Sequence, residues 1–306
     1  MTSQELITII GQLRMAPTNG GRAVHKPLLL LFWLARLQRD EPRLAAFADV
    51  EGSFKQLLTE FGSPNSPQTR QLPFWHLCND ADGTVWELQT SAGIRLEISG
   101  NAPSATWLRQ NNIQAGFTRS VDAVLRHDAP LRATLARRLL NDNFPETLHF
   151  DIAEQLGLDL SADTGASASQ DNTTRRRNPA FRERVLRAYE YRCCVCGFDL
   201  RIGNVTAGLE AAHIKWFTAG GPDLETNGFA MCSLHHKLLD LGAFTVEPVQ
   251  LTIRFSQNIQ VNEATRASLL SYHGAGLIQP QSDAYRPDKE NLAWHAQFVF
   301  RAPARD

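Results

Sequence analysis

Apolar side chains recur every three or four positions through roughly the first 155 residues, which is the period of helices packed on a core. This spacing predicts helices at residues 6–13, 28–37, 54–61 and 131–139. Pro27 suits the first turn of the second helix, because its ring fixes a helical φ and its missing N–H needs no partner there. We therefore expect the N-terminal half to be mainly helical.

A different pattern lies between the third and fourth of these helices. Residues 72–77 and 85–88 are apolar and aromatic, and they flank the turn-forming sequence NDADGT. Two such runs on either side of a short turn predict a β-hairpin. Helices followed by a hairpin are typical of a winged helix, so we expect a winged-helix-like N-terminal domain.

The stretch SADTGASASQDNTT, which begins at Ser161, has no large apolar side chain to offset the entropy of ordering. We interpret residues 161–178 as a flexible linker between a domain at 1–160 and a domain at 179–306. A coil of this length has a root-mean-square reach of about 20 Å. The linker ends in three arginines, Arg175, Arg176 and Arg177, which are either a solvated end or a strap that contacts phosphates.

The second domain opens with Phe181, Val185, Leu186 and Tyr189, which share one face of a predicted helix. Farther on, the pattern predicts strands within 246–255, a helix at 264–272 and a closing helix at 291–300. We expect His295, within that last helix, to be structural.

Composition narrows the class of protein without naming a function. The 306 residues are 43% apolar and carry a formal net charge of −1, so no global positive field attracts nucleic acid. The N-terminus reads as an amphipathic helix and not as a signal peptide. The longest apolar run, residues 27–35, is too short to span a bilayer. We therefore expect a soluble, cytoplasmic protein with no membrane partner.

The five cysteines indicate a metal site. They are odd in number and three of them lie within four positions, which makes a poor disulfide framework. Cys193 and Cys196 are separated by two residues, and Cys232 and His235 repeat that gap. Two such pairs supply the four ligands of a closed, tetrahedral structural zinc. We interpret Cys194 as a bystander between the ligands and Cys78 as a small buried hydrophobe.

Three polar residues lie between and beside these pairs. His213 follows a short apolar run that predicts a strand, Asn227 lies in the turn TNG, and His236 opens a predicted helix. A strand, a second strand and a helix, held together by zinc, would bring the three side chains to one cleft.

The motifs C-x-x-C, AAHI, GG-x-D, NG and C-x-x-H-H, followed by Leu-Asp, resemble the HNH endonuclease family, especially its McrA-like restriction enzymes. The resemblance implies a ββα-metal fold that hydrolyses DNA. By that resemblance His213 is the general base that activates water, Asn227 orients the histidine or the metal shell, and His236 binds the catalytic divalent ion. That ion would be Mg²⁺ or Mn²⁺, which can stabilise the leaving 3′-oxygen.

The second ligand of that ion is open. Many members of the family carry an acidic or histidine ligand directly before the base, where this chain has Ala212. Glu210 and Asp240 are the candidates to replace it, unless they are simply surface carboxylates or caps. On a regular strand Glu210 lies on the face opposite His213, so we expect it to serve only where the strand is irregular.

The segments GRAVHKPLLLLFW and SPNSPQTRQLPFWHL resemble the sulfur-binding domain that precedes HNH modules in enzymes cutting phosphorothioate-modified DNA. The resemblance implies cations for the phosphate and a small apolar cup for the sulfur, with Leu72 where the family often has an aromatic residue. The predicted DNA-binding residues are Arg22, His25, Lys26, Arg70, Leu72, Pro73, Phe74 and His76. Trp75 is either a DNA contact or part of the core, and we favour the core.

Together these expectations describe an α+β protein with a helical, winged-helix-like sulfur-binding domain and a zinc-containing ββα-metal nuclease domain. The predicted function is a modification-dependent restriction endonuclease acting on double-stranded DNA that carries phosphorothioate. Cutting both strands with one site per chain favours a homodimer, formed on DNA. Two alternatives stay open: the same nuclease with a reader of methylated cytosine, or a non-catalytic DNA-binding regulator in which zinc is only structural.

Overall fold

The computed structural model describes residues 2–13, 17–18, 21–22, 24–64, 69–90, 96, 100–161, 178 and 180–306. The side chain of Arg22 lies outside this description, and so do the three arginines and the interior of the predicted linker. The chain divides into two compact units, one built mainly from residues up to 171 and the other mainly from residues 172–306. None of the helices in the described ranges has both the length and the hydropathy that a membrane crossing needs.

The N-terminal unit is mainly helical, and two of its strands, β1 (Pro17–Thr18) and β2 (Gly21–Arg22), form a short ribbon. Its other described strands are β3 (Ala45–Ala46), β4 (Trp86–Gln89) and β5 (Gln114–Phe117). Its described helices are α1 (Ser3–Gly11), α2 (His25–Gln38), α3 (Phe47–Phe61), α4 (Gln71–His76), α5 (Ala105–Gln110), α6 (Arg119–His127), α7 (Ala129–Asn143) and α8 (Glu146–Leu156).

Helix α2 runs through the centre of this unit. Every residue from 27 to 35 is buried, so the helix is covered on all sides by neighbours such as α3 and α7. Its Trp33 ring lies 4.7 Å from Trp86 of β4, and Phe74 of α4 packs edge-on against Phe47. The four predicted helices of this half are confirmed, and most of the apolar positions that predicted them are buried.

The predicted hairpin is wrong. Residues 71–76 form α4 and the 3-10 turn Leu77–Gly83 follows, while β4 pairs with β5, which begins 28 residues after it, in a sheet of order β3-β5-β4. Phe74 and Trp75 are adjacent and both buried, which a helix wedged into a core permits and an alternating strand does not. Gly116 of β5 lies very close to the backbone of Arg43, because a Cβ at position 116 would be 2.1 Å from the Arg43 carbonyl oxygen.

The C-terminal unit contains several short paired strands and helices. Its described strands are β6 (Arg201–Ile202), β7 (Val205–Thr206), β8 (Leu209–His213), β9 (Gly228–Cys232), β10 (Phe244–Val246) and β11 (Ile253–Phe255). Its described helices are α9 (Phe181–Ala188), α10 (Ser233–Asp240), α11 (Glu263–Leu269) and α12 (Lys289–Phe298).

The strand, strand and helix predicted around His213 are present as β8, β9 and α10. The two strands are antiparallel and regular, with Leu209 opposite Cys232 and His213 opposite Gly228. Helix α10 starts at the residue after β9, so the ββα order is continuous at that junction. Gly228 permits α9 to approach closely, because a Cβ there would lie 2.4 Å from Val185 Cγ2.

The remaining elements complete the core of this unit. Strands β10 and β11 pair with each other, and α12 contacts β10 as the predicted closing helix. His295 of α12 is 1% exposed, with one ring nitrogen 3.0 Å from the Thr245 hydroxyl and the other 3.0 Å from the Leu239 carbonyl oxygen. Its predicted structural role is confirmed.

Candidate functional site

The structure brings the four predicted zinc ligands together. Cys193 and Cys196 lie in the turn after α9, Cys232 ends β9, and His235 is in the first turn of α10. Their donor atoms all lie within 4.8 Å of one another, the only group of three or more such side chains in the described part of the chain that does so. Cys194 is fully buried outside this group, and Cys78 is buried in the other unit.

The geometry suits a tetrahedral ion. His235 Nδ1 lies 3.1 Å from the Cys232 sulfur and 3.6 Å from the Cys193 sulfur. Donor atoms around a tetrahedral zinc are about 3.5–3.8 Å apart, from bond lengths near 2.1 and 2.3 Å. A hydrogen bond from the Cys232 thiol lowers the pKa of Cys193, which favours its thiolate, the form that binds metal. The cluster can therefore hold a metal ion.

His213 ends β8 in a nearly closed environment. Its Nε2 lies 2.8 Å from an Asp223 oxygen, and its ring stacks on Phe181 of α9 with centroids 4.1 Å apart and planes 18° apart. The centroid of the Phe217 ring lies 6.0 Å from the centroid of the His213 ring. Both partners of the Asp223 pair are largely buried, with side chains 15% and 11% exposed. The imidazole is thus held in one plane and one orientation.

Asn227 is fully buried and braces the loop that begins after His213. Its side-chain oxygen accepts from the Lys215 N–H at 2.9 Å, and its amide donates to the carbonyl oxygens of Lys215 and Pro222. The loop passes so close that a Cβ on Gly221 would lie 1.8 Å from the Lys215 carbonyl oxygen. Asn227 therefore fixes the shape of the loop from Lys215 to Pro222.

His236 lies between two carboxylates on α10 and β8. Its Nδ1 is 2.6 Å from Glu210 Oε2, and its Nε2 is 3.3 Å from Asp240 Oδ2. The other Asp240 oxygen accepts from the Trp216 indole at 2.9 Å. Strand β8 is regular, so the expectation that Glu210 reaches this site only on an irregular strand is wrong. The correct reason is that Glu210 lies on the same face as Ala212, and that face is covered by α10.

The electrostatics of this second cluster favour a cation. Burial alone would lower the pKa of His236, but Asp240 and Glu210 outweigh burial and raise it to about 9. The carboxylates of Glu210 and Asp240 therefore stabilise a positive charge at this position. One imidazole and two carboxylates are ligand types that a divalent ion accepts. The two carboxylates flank opposite ring nitrogens, so the three side chains do not surround a single point in this arrangement.

In the N-terminal unit the structure brings the two predicted DNA-binding segments into contact. Lys26, in the first turn of α2, forms an ion pair at 2.5 Å with Asp80, which is 3% exposed. His76, at the end of α4, is close enough to Lys26 that burial and the lysine together lower its pKa. His25 and His76 are partly exposed, so the start of α2 and the end of α4 present one lysine and two imidazoles at a common place.

The apolar part of the predicted sulfur cup needs correction. Phe74 is 1% exposed, with its ring 6.1 Å from Trp33 in the core, so its side chain does not line a surface. Pro73 is buried as well, whereas Leu72 is 37% exposed. Trp75 is in the core as favoured. Arg70 is partly exposed and pairs with Glu51 at 3.2 Å.

Three partners of the site residues were not predicted from the sequence. Asp223 and Phe181 hold His213, and Asp80 holds Lys26. The sequence did contain a signal for Asp223, because it is the aspartate of the GG-x-D motif that follows His213. No local pattern marks Asp80, which lies 54 residues from its lysine.

Two family models match the chain. The ScoMcrA-like DNA sulfur-binding domain matches residues 3–161, and an HNH endonuclease domain matches residues 193–247. No curated protein matches.

Several solved structures are similar to the N-terminal part of the chain. One is the sulfur-binding domain of SprMcrA complexed with phosphorothioated DNA, with 22% identity, a TM-score of 0.45 and coverage of 52% of this chain and 95% of that chain. The sulfur-binding domain of ScoMcrA in the same kind of complex has 22% identity and a TM-score of 0.42, with coverage of 50% of this chain and 94% of that chain. The type IV phosphorothioation-dependent restriction endonuclease ScoMcrA has 23% identity and a TM-score of 0.41, with coverage of 50% of this chain and 32% of that chain. The match therefore spans about a third of that enzyme.

The C-terminal unit has the ββα order, the Cys-Cys-Cys-His cluster and the HNH match, and the protein is a DNA endonuclease. The sulfur-binding family model covers more than half of the 306 residues, and so the chain belongs to the family of the ScoMcrA-like DNA sulfur-binding domain.

Proposed function

We propose that this protein is a type IV restriction endonuclease that binds phosphorothioate-modified DNA through its N-terminal unit and cuts it with its C-terminal unit. The observation that carries the proposal is the presence of both units in one chain. An HNH unit cleaves with little selectivity of its own, so the choice of substrate falls to the unit beside it.

The proposed reader uses the difference between sulfur and oxygen. Replacing one non-bridging oxygen keeps the phosphodiester charge near −1 but adds a larger and more weakly hydrated atom. In this proposal Lys26 and the start of α2 hold the charge, because helix N-termini and cations both favour phosphate. The exposed side chain of Leu72 offers the apolar contact for sulfur. Arg22, His25, Arg70 and His76 are proposed to complete the surface.

In the proposed mechanism His213 takes a proton from the attacking water, while Asn227 holds the loop behind it. The surroundings of His213 support this role, because a base must be fixed in orientation and its ring is fixed on one edge and one face. His236, with Glu210 and Asp240, would hold the catalytic ion, proposed as Mg²⁺ or Mn²⁺. Such an ion supplies stabilisation of charge on the leaving 3′-oxygen.

Zinc is the proposed occupant of the cluster of Cys193, Cys196, Cys232 and His235, because three thiolates and one imidazole prefer a soft tetrahedral ion. This ion would be structural. It would join the turn after α9 to the junction of β9 and α10, and so fix the base of the ββα unit. Reduced thiols and a DNA substrate both fit a cytoplasmic location, which is part of the proposal.

We also propose a homodimer that forms on DNA, since one active site per chain cuts one strand at a time. Sedimentation with and without a phosphorothioated duplex measures this directly. A two-chain complex only with DNA is the expected result, and double-strand cleavage by a complex with one chain per duplex would contradict it.

The decisive test uses matched duplexes that differ by one sulfur of defined stereochemistry. A gel shift should show tighter binding to one phosphorothioate isomer, by roughly fivefold or more, since burying one apolar group contributes about 1 kcal/mol or more. Equal affinity for all duplexes would refute the sulfur reading, and tighter binding to a methylated duplex would favour a reader of methylated cytosine.

A plasmid-nicking assay with Mg²⁺ or Mn²⁺ tests the catalytic half separately. The wild type and His127→Ala, an exposed histidine of the N-terminal unit, should cut, whereas His213→Ala should not. Absence of metal-dependent cutting by all three proteins would leave the non-catalytic regulator as the explanation.

A further inference from the structure

A short chain of hydrogen bonds lies behind His213 and begins at Asp223. One carboxylate oxygen of Asp223 is 2.8 Å from His213 Nε2. The Asp223 side chain is 11% exposed. A carboxylate accepts hydrogen bonds and donates none, so the proton in this contact belongs to the imidazole. The neutral ring in this geometry therefore carries its hydrogen on Nε2 and its lone pair on Nδ1.

Asp223 is itself held from three directions. Its second oxygen accepts the backbone N–H of Asn178 at 2.7 Å, and its carbonyl oxygen accepts from the Arg184 guanidinium at 2.7 Å. The residue before it, Pro222, is tied to the Asn227 amide. A carboxylate fixed in this way imposes its own position on the imidazole and does not follow it.

Phe181 supplies the second constraint. Its ring lies parallel to the imidazole at 4.1 Å and comes from the first turn of α9, three residues after Asn178. The hydrogen bond fixes one edge of the imidazole and the stacking fixes its plane. Rotation of the ring by half a turn about the Cβ–Cγ bond would place Cε1 where Nε2 now lies, and so would break the bond to Asp223.

We propose that Asp223 is a positioning residue that fixes His213 in the tautomer whose Nδ1 accepts the proton of the attacking water. This inference rests on the proposed role of His213 as the general base. As water attacks, its oxygen forms the new bond to phosphorus and its proton moves to Nδ1. The bond from phosphorus to the 3′-oxygen breaks, and that oxygen keeps the electron pair and takes a proton from solvent. The imidazolium that forms keeps its proton on Nε2 and donates it in a hydrogen bond to Asp223, whose negative charge stabilises the imidazolium.

The test compares Asp223→Asn with His213→Ala and with Asp283→Asn, a matched change at an exposed aspartate of the same unit. An amide can present an N–H to Nε2 and so favours the wrong tautomer. We expect kcat of Asp223→Asn to fall by about 10²–10⁴-fold while KM and DNA binding stay unchanged. Asp283→Asn should match the wild type. A loss confined to KM, or full activity, would overturn the inference.

The nitrogen chemical shifts of the His213 ring give a readout that does not depend on cleavage. In wild-type protein they should show hydrogen on Nε2, and in Asp223→Asn they should show loss of that preference. A wild-type ring with hydrogen on Nδ1 would overturn the inference even if the variant failed to fold. Full cleavage by His213→Ala would instead refute the proposed function, and full cleavage by Asp223→Asn alone would refute only the role of Asp223.

Discussion

Acid should destabilise the C-terminal unit through one buried histidine, His295. Burial lowers its pKa from 6.5 to about 4. Its Nε2 must carry the hydrogen, because the Leu239 carbonyl oxygen can only accept, and its Nδ1 then accepts from the Thr245 hydroxyl. A second proton would place a positive charge on a fully buried ring.

The sign and size of the effect follow from linkage. The unfolded chain takes up the proton near pH 6.5 and the folded chain only near pH 4, so the stability that neutral His295 contributes is complete above pH 6.5. It is lost as the pH falls from 6.5 to 4. The loss is about 2 kcal/mol at pH 5 and about 3 kcal/mol at pH 4. At about 3 °C per kcal/mol, the midpoint of thermal unfolding at pH 5 should fall by about 6 °C from this residue alone.

The assay is differential scanning calorimetry of the whole chain at pH 7 and pH 5, for wild type, His295→Gln and His127→Gln. Glutamine can bond to both neighbours of His295 and has no charge to gain, so His295→Gln should lose about 6 °C less than the wild type between the two pH values. His127, which is exposed, serves as the control and should leave the wild-type dependence intact. Equal pH dependence in wild type and His295→Gln would refute the reasoning, and so would an NMR titration that placed the His295 pKa near 6.5.

Three further changes test the frame of each unit. Cys232→Ser should not retain the metal proposed for the cysteine and histidine cluster, measured by elemental analysis of purified protein, whereas Cys194→Ala should retain it, because only the former removes a proposed ligand. Gly221→Ala should lower the unfolding midpoint of the C-terminal unit and abolish nicking, since the added carbon would lie 1.8 Å from the Lys215 carbonyl oxygen; wild-type behaviour in both would contradict the loop geometry. Gly52→Ala, on an open face of α3, should raise the stability of the N-terminal unit by about 1 kcal/mol in calorimetry, and a decrease would show that the position is not open.

The sequence was most informative where chemistry and local order coincide. Cysteine and histidine pairs with equal gaps have few uses other than metal binding, and four ligands define one point in space. That point lies at the junction of β9 and α10, so the ββα order around His213 follows from the same residues. Helical periodicity was equally informative for α3 and α7, whose buried apolar positions recur every three or four residues.

Local pattern was misleading for α4. A run of apolar and aromatic residues is compatible with a strand or a buried helix, and here Phe74 and Trp75 are adjacent and both buried, as a helix permits. Strand β4 finds its partner in β5, and the pattern of residues 72–77 contains no information about that distant strand. The partner Asp80 could not be identified for the same reason: an ion pair depends on where the chain returns, and the sequence states only which residues are able to form it.

Glu210 shows how the same physics explains a departure from the family pattern. Positions 210 and 212 of β8 share a face, and α10 covers that face, so a ligand at either position is directed toward His236. Ala212 is fully buried, whereas Glu210 keeps part of its surface in solvent. Mg²⁺ usually keeps several water molecules when it binds a protein. In the proposed site, Glu210 would therefore offer such an ion a carboxylate that is directed toward His236 and is still in contact with solvent.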